Sequence, residues 1–382
     1  MSGDPEQEYF SDGITEDIIT EVSRYPDLLV IARNSSFAYK GSAVDLKKVA
    51  RELGVRYVLE GSVRKAGNRI RVTAQLIDAK SGAHLWAEHF DRNLEDIFAV
   101  QDEITQIVVG TLGPKLQTAG ADLVMKEDPA RLSAYDLVLR ALAHLRRFTK
   151  ADHEETGRLA QAAIDIDPSY ARAYSVLAIN LMQTRNSGFA DDPDAYLVAG
   201  LEAARKAVAL DNNDAEAHSV LATLCLFTEQ HEQAITECRR AIELNPNFAE
   251  AYARLANALT CSGRTEDALA EFDMAIRLNP HQPANYLMML GRTHFVQGDY
   301  QTAIAPLERA INVGPGLTPA WTALAACYSA TGRIEEARTL IFKLLSDVPG
   351  LTLAFVRSVT PFKDPETRER FVTFLRAAGL PQ

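Results

Sequence analysis

The stretch AEAYARLANALTCSGRTEDALAEFDMAIRLNP, residues 249 to 280, decides the fold. Tyr252 stands at its fourth position, Leu255 and Ala256 at the seventh and eighth, and Gly263 at a turn in the middle. Ala268, Phe272 and Ala275 follow at the twentieth, twenty-fourth and twenty-seventh positions, and Pro280 closes the stretch. Two amphipathic helices separated by a glycine turn are predicted. The small residues let the paired helices approach closely, and the aromatics fill the gap to a neighbouring pair.

The pattern recurs. Pro246, Pro280, Pro315 and Pro349 are 34, 35 and 34 residues apart, and Gly263, Gly298 and Gly332 keep the same step, as do Ala268, Ala303 and Ala337. A period near 34 marks a helical-hairpin repeat. Residues 318 to 349 match as well as the first stretch, and 283 to 315 match with one extra residue. Residues 215 to 246 match with Glu229 in place of the turn glycine. Before residue 212 the pattern degenerates into a unit with an insertion at NSGFADDPDA (186 to 195) and another from Ser133 to Pro168.

Together these units resemble tetratricopeptide repeats across 131 to 349, about six hairpins of which four are clear. The resemblance implies a superhelix whose first helices line a concave groove for a protein or peptide. On this chain the groove positions fall on Ser219, Thr223, Phe227, Asn257, Met288, Arg292, Phe295 and Thr322. Asn and Arg suit a backbone or a carboxylate, and Met and Phe suit apolar contact. The lysine–asparagine clamp of chaperone-binding repeats is not reproduced, because Ile179 and Thr223 stand where asparagine is needed. Residues 350 to 382 are expected to supply a helix, 366 to 378, that caps the last apolar face.

Residues 1 to 120 have a mixed texture. Ser11-Asp12-Gly13 reads as a helix entry, Ile14, Ile18, Ile19 and Val22 as its apolar face, and LLVIAR (28 to 33) as a strand after Pro26. DLKKVARELG reads as a short helix. Three strand candidates follow, the first two joined at Ala66-Gly67-Asn68, with Ile70, Val72, Ala74 and Leu76 alternating as in a half-buried antiparallel strand. A helix carrying Ile97, Val100, Ile104, Ile107 and Val108 ends this part, and KEDPAR (126 to 131) reads as the linker. The fold class expected is therefore a small α/β (α+β) domain followed by an all-α superhelix.

The stretches from DPEQEYFSDGITEDIITEVSR to SGAHLWAEHFD resemble the TolB-like amino-terminal domain. That domain precedes such repeats in bacterial adenylate cyclases and winged-helix regulators, and PFKDPETRERFVTFLRAAGLPQ resembles the ending of the cyclase-linked proteins. The family's opening strand is absent, which places Met1 inside a longer architecture and leaves LLVIAR or its neighbour as a sheet edge open to self-association. A rival to the interaction module is thus the sensory half of a signalling protein whose effector lies outside these residues.

Net charge of −11 argues against a nucleic-acid partner. No apolar run reaches the length of a membrane span, and no secretory signal is present, so the chain reads as cytoplasmic, or periplasmic within a longer membrane-spanning protein. Cys225, Cys238, Cys261 and Cys327 lie far apart and read as apolar fillers, His84 and His89 face opposite sides of a strand, and no phosphate loop occurs. No cofactor, metal or catalytic constellation is indicated, and an enzyme is not expected.

Overall fold

The computed structural model describes residues 5 to 26, 28 to 41, 45 to 112, 129 to 147 and 149 to 382. Residues 126 to 128 of the KEDPAR linker lie outside them. The amino-terminal part holds α1 (Pro5–Ser23), α2 (Arg33–Phe37), α3 (Leu46–Leu53), β1 (Tyr57–Ala66), β2 (Arg69–Asp78), β3 (Ala83–Asn93) and α4 (Ile97–Leu112). The strands form one antiparallel sheet in the order β1-β2-β3, with Val63 opposite Val72 and Val72 opposite Phe90. Ile70, Val72, Ala74 and Leu76 are buried while Arg69, Arg71 and Thr73 are exposed, so one face meets water. Helices α1 and α4 cover the other face with Phe10, Ile14, Ile18, Ile97, Val100 and Ile104.

Two expectations for this region fail for identifiable reasons. Helix α1 runs through Ser11-Asp12-Gly13 instead of starting there. A side chain at Gly13 would run into Leu139, so the glycine serves the close passage of a neighbouring helix. LLVIAR belongs to no strand, and its last residue, Arg33, opens α2. Ala32 N donates to Leu278 O at 2.8 Å and Val30 N to Asn247 Oδ1 at 3.3 Å, so turns of the repeats take its hydrogen bonds. The edge strands of the described sheet are β1 and β3, and β3 carries charged side chains and a bulge beside Leu85, features that discourage edge pairing.

Six helical hairpins follow among the described residues. They are α5–α6 (Pro129–Leu145, Lys150–Ile166), α7–α8 (Ala171–Asn186, Pro193–Leu210), α9–α10 (Ala215–Phe227, His231–Leu244), α11–α12 (Ala249–Cys261, Thr265–Leu278), α13–α14 (Ala284–Gln297, Tyr300–Val313) and α15–α16 (Thr318–Ala330, Ile334–Asp347). Their alanines pack at or near zero exposure, and at Gly291 an added Cβ would lie 2.5 Å from Leu307 Cγ, which is why a small residue is needed where α13 meets α14. Tyr135 and Leu139 of α5 belong to the core under the sheet, so the first hairpin and the small domain are joined by packing.

Gly263, Gly298 and Gly332 hold their turns at φ of 82°, 84° and 80°; Glu229 holds the equivalent turn at 59°. An L-residue is strained there, by about 1–2 kcal/mol. Glu229 also accepts from Arg368 at 2.9 Å, an exposed pair of small worth. Glu229→Gly is therefore expected to raise stability by about 0.5–1 kcal/mol in urea unfolding; a loss would mean that the ion pair outweighs the strain.

After α16 the chain turns inward. Helices α17 (Leu353–Ser358) and α18 (Pro365–Ala377), with the segment between them, form a strap along the carboxy-terminal ends of the inner helices. Ser358 O accepts from Arg185 at 3.2 Å, the His231 ring meets Pro361 O at 2.9 Å, and Lys363 N donates to Cys261 O at 2.8 Å. Arg370 then reaches Val296 O at 3.3 Å, and α18 packs on α15. The helix expected to cap the last apolar face is α18, which lies on the inner side against α15, while Phe342 of α16 stays 76% exposed. Phe362 and Phe371 find their apolar neighbour in Phe295, which draws the strap inward.

A candidate ligand cavity inside the repeat array

The inner helices and the strap enclose a cavity of about 1170 Å³. Of the residues expected along the groove, Thr223, Phe227, Asn257, Met288, Arg292 and Thr322 line it. Ser219 and Phe295 do not. Ser219 is fully buried and accepts from Arg254 at 3.1 Å. Phe295 is fully buried beneath Tyr300, Phe371, Phe374 and Phe362, with ring centroids 5.2 to 6.4 Å away. The chain's own strap covers that part of the groove.

Thr223, Asn257 and Arg292 occupy the same position of successive inner helices, so they form a row across the wall. Among the described residues five arginines line the cavity (Arg146, Arg147, Arg254, Arg292 and Arg309) against one acid, Glu250. Arg254 is held by Glu250 at 3.1 Å, Arg147 by Asp152 at 3.7 Å, and Arg309 by Gln282 at 3.0 Å, while Arg146 pairs with Glu16. Arg292 has no such partner among the described residues. It is 8% exposed, its Nη2 makes no hydrogen bond, and burial lowers its pKa. Asn257, 7% exposed, also leaves Oδ1 unpaired.

Asn34 and Ala38 of the amino-terminal part also line the cavity. They are held there by a zipper: Ser35 Oγ donates to Asn279 Oδ1 at 2.6 Å, His281 N donates to Ser35 Oγ at 2.8 Å, and Asn247 Nδ2 donates to Ser23 O at 2.9 Å. Sequence reasoning missed this wall because it assigned the segment before Asn34 to a sheet. The Asn-Pro signals at Asn245 and Asn279 marked the turns but not what they hold.

A second, acidic cavity of about 650 Å³ lies between α1, α4, α7 and α9. Arg172 pairs there with Asp17 at 2.6 Å and lies 3.9 Å from Glu216. Burial pushes the Glu216 carboxyl up to about 7, Asp214 and Glu16 adding to this and Arg172 opposing it. The folded chain then holds this proton better than the unfolded chain above pH 4.5, so stability falls as pH rises from there through about 7. A third of the side chain is exposed, and solvent screening limits the effect to about 1 kcal/mol. Glu216→Gln should remove that slope, measured as the difference in urea stability between about pH 5 and pH 8; an unchanged slope would assign it elsewhere.

Among the described residues, no helix is long and apolar enough to cross a membrane, and no group of three or more His, Cys, Asp or Glu side chains is placed to hold a metal. All four cysteines are buried, and desolvation pushes Cys238 and Cys327 up to about 12. Arg69 and Arg71 both pair with Asp91.

Comparison with known proteins supports the repeats. The tetratricopeptide repeat model matches residues 228–292 and 295–352, and the chain carries such repeats. Residues 4–107 match the model described as "HilA/YgeH-like transcriptional regulator, second domain", so the TolB-like resemblance of this part gives way to that match. A protein of Rhizobium meliloti (strain 1021) named "Putative adenylate cyclase 3" is 48% identical over 237 residues, covering 61% of this chain and 40% of that protein. This chain thus spans less than half the length of that relative. Among solved structures, Pseudomonas aeruginosa pilF is 17% identical with a TM-score of 0.41, covering 58% of this chain and 95% of that one. A thermophilic TPR protein of Thermus thermophilus is 22% identical with a TM-score of 0.39, covering 52% and 99%.

Proposed function

We propose that this chain is the non-catalytic, ligand-responsive half of a signalling protein of the adenylate cyclase kind. The repeat array receives the ligand in its cavity, and the small domain passes its occupancy to an effector. The observation that carries this reading is the segment 30 to 38, which is hydrogen-bonded to the repeat turns, contributes Asn34 and Ala38 to the cavity wall, and leads into the small domain. A ligand touching Asn34 therefore acts on a segment belonging to both parts. The 48% identity to a protein named as a cyclase supports the signalling context.

The plainer reading, a module that binds a protein or peptide in its groove, keeps the same cavity but not the full groove. The strap lies along the path a long peptide would take, which favours a compact ligand.

Coupling can be tested without knowing the ligand. Met288→Trp puts a bulky ring into the cavity wall, and hydrogen exchange then reports on residues 28 to 38. Coupling of the usual allosteric size predicts a change of about tenfold or more in exchange there. An unchanged segment beside the altered wall would contradict the relay.

A further inference from the structure

We propose that the cavity is a binding site for a small organic monoanion with an apolar body, a medium-chain carboxylate in type, whose charge is held by Arg292 with Asn257 beside it. This deepens the reading above and rests on it, since it needs the cavity to admit a ligand.

A guanidinium only 8% exposed, without a carboxylate, is costly to keep. The Phe362 ring, 5.0 Å from its Cζ, returns only part of that cost. Arg172 has Asp17 and Arg254 has Glu250, and Arg185, which lacks a carboxylate within ion-pair distance among the described residues, donates to Pro193 O, Asn186 Oδ1 and Ser358 O instead. Arg292 instead lines a space large enough for a ligand without a carboxylate partner, its Nη2 unpaired and covered, one inner helix away from Asn257, whose Oδ1 is likewise unpaired and covered. A carboxylate there would accept from the guanidinium, and the Asn257 amide can rotate to donate as well.

The rest of the wall limits the ligand. Ile179, Met182, Leu226, Phe227 and Met288 with Phe355 of the strap offer an apolar surface that suits a hydrocarbon body. Glu250 on the same wall disfavours a second negative charge, and a single buried guanidinium beside an apolar wall is too little for a polyphosphate. The strap, bonded at Ser358, Pro361 and Lys363 across successive hairpins, closes the lengthwise path that an extended chain would need.

Titration calorimetry of the intact chain with octanoate and with octan-1-ol separates charge from apolar contact. Octanoate should bind one per chain, and octan-1-ol about tenfold or more weakly, since a hydrogen bond to a charged group is worth at least that factor. Arg292→Met should abolish this preference while melting no lower than the parent, because an unpaired buried charge is replaced by an apolar side chain. Equal binding of the two probes, with Met288→Trp blocking both, would overturn the anion site and leave the cavity reading standing. Absence of octanoate binding, a preference that survives in Arg292→Met, or a marked fall in its Tm would also overturn the proposal. Tighter binding of a peptide with a free terminal carboxylate would assign the site to a polypeptide end instead.

Discussion

Phe295→Ala is expected to destabilise the chain by about 3–5 kcal/mol, the range for a fully buried aromatic. Phe295 is fully buried and sits where the array and the strap meet: Tyr300 from α14 is on one side, Phe362, Phe371 and Phe374 from the strap on the other. Removing the ring leaves a void that both α13 and the strap would have to collapse into, and each is already anchored elsewhere. Urea unfolding of the variant checks the size. A loss under about 1 kcal/mol would mean that the strap is not packed on the array.

Asp17→Ala should cost about 3 kcal/mol, the low end for breaking a buried ion pair. Asp17 accepts from Arg172 at 2.6 Å, from Gln101 at 3.2 Å and from the Tyr135 hydroxyl, and both charged side chains are less than a fifth exposed. Its loss leaves a buried guanidinium and a tyrosine hydroxyl without their acceptor, and the Gln101 amide with only the Tyr135 oxygen at 3.3 Å. Glu216, 3.9 Å from Arg172, is a poor substitute that softens the loss. Adding Arg172→Met should recover most of the stability, because the stranded charge goes with it. If the double variant were as unstable as the sum of its parts, the pair would not be the linking contact between α1 and the array.

What the sequence made legible follows from period. A 34-residue step survives in prolines, glycines and alanines because every hairpin must pack on the next, and the alternation of Ile70, Val72, Ala74 and Leu76 follows from a sheet with one buried face. The missed features are those in which a local pattern has several partners to choose from. LLVIAR is apolar, but nothing in it distinguishes a neighbouring strand from the turns at Asn247 and Leu278. Gly13 has the look of a helix entry, while its cause is Leu139, far along the chain. Phe371 and Phe374 announce an apolar helix face without saying that its partner is Phe295.

The cavity inherits the same division. Thr223, Asn257, Met288, Arg292 and Thr322 were legible as inner-wall positions because the repeat register places them there. That Arg292 lacks a carboxylate, and that Asn34 and Phe355 complete the wall, depends on two segments folding back over the array from opposite ends of the chain.

Amide hydrogen exchange of the intact chain at Ala32 and Lys363 reports on both segments at once. Each amide donates at 2.8 Å to a repeat carbonyl, Leu278 O and Cys261 O. If the segment at Ala32 and the strap are integral walls of the cavity, both amides exchange as slowly as those in the middle of α11 and α13. Exchange of both at free-chain rates would contradict it, leaving an open repeat groove with a loosely attached small domain.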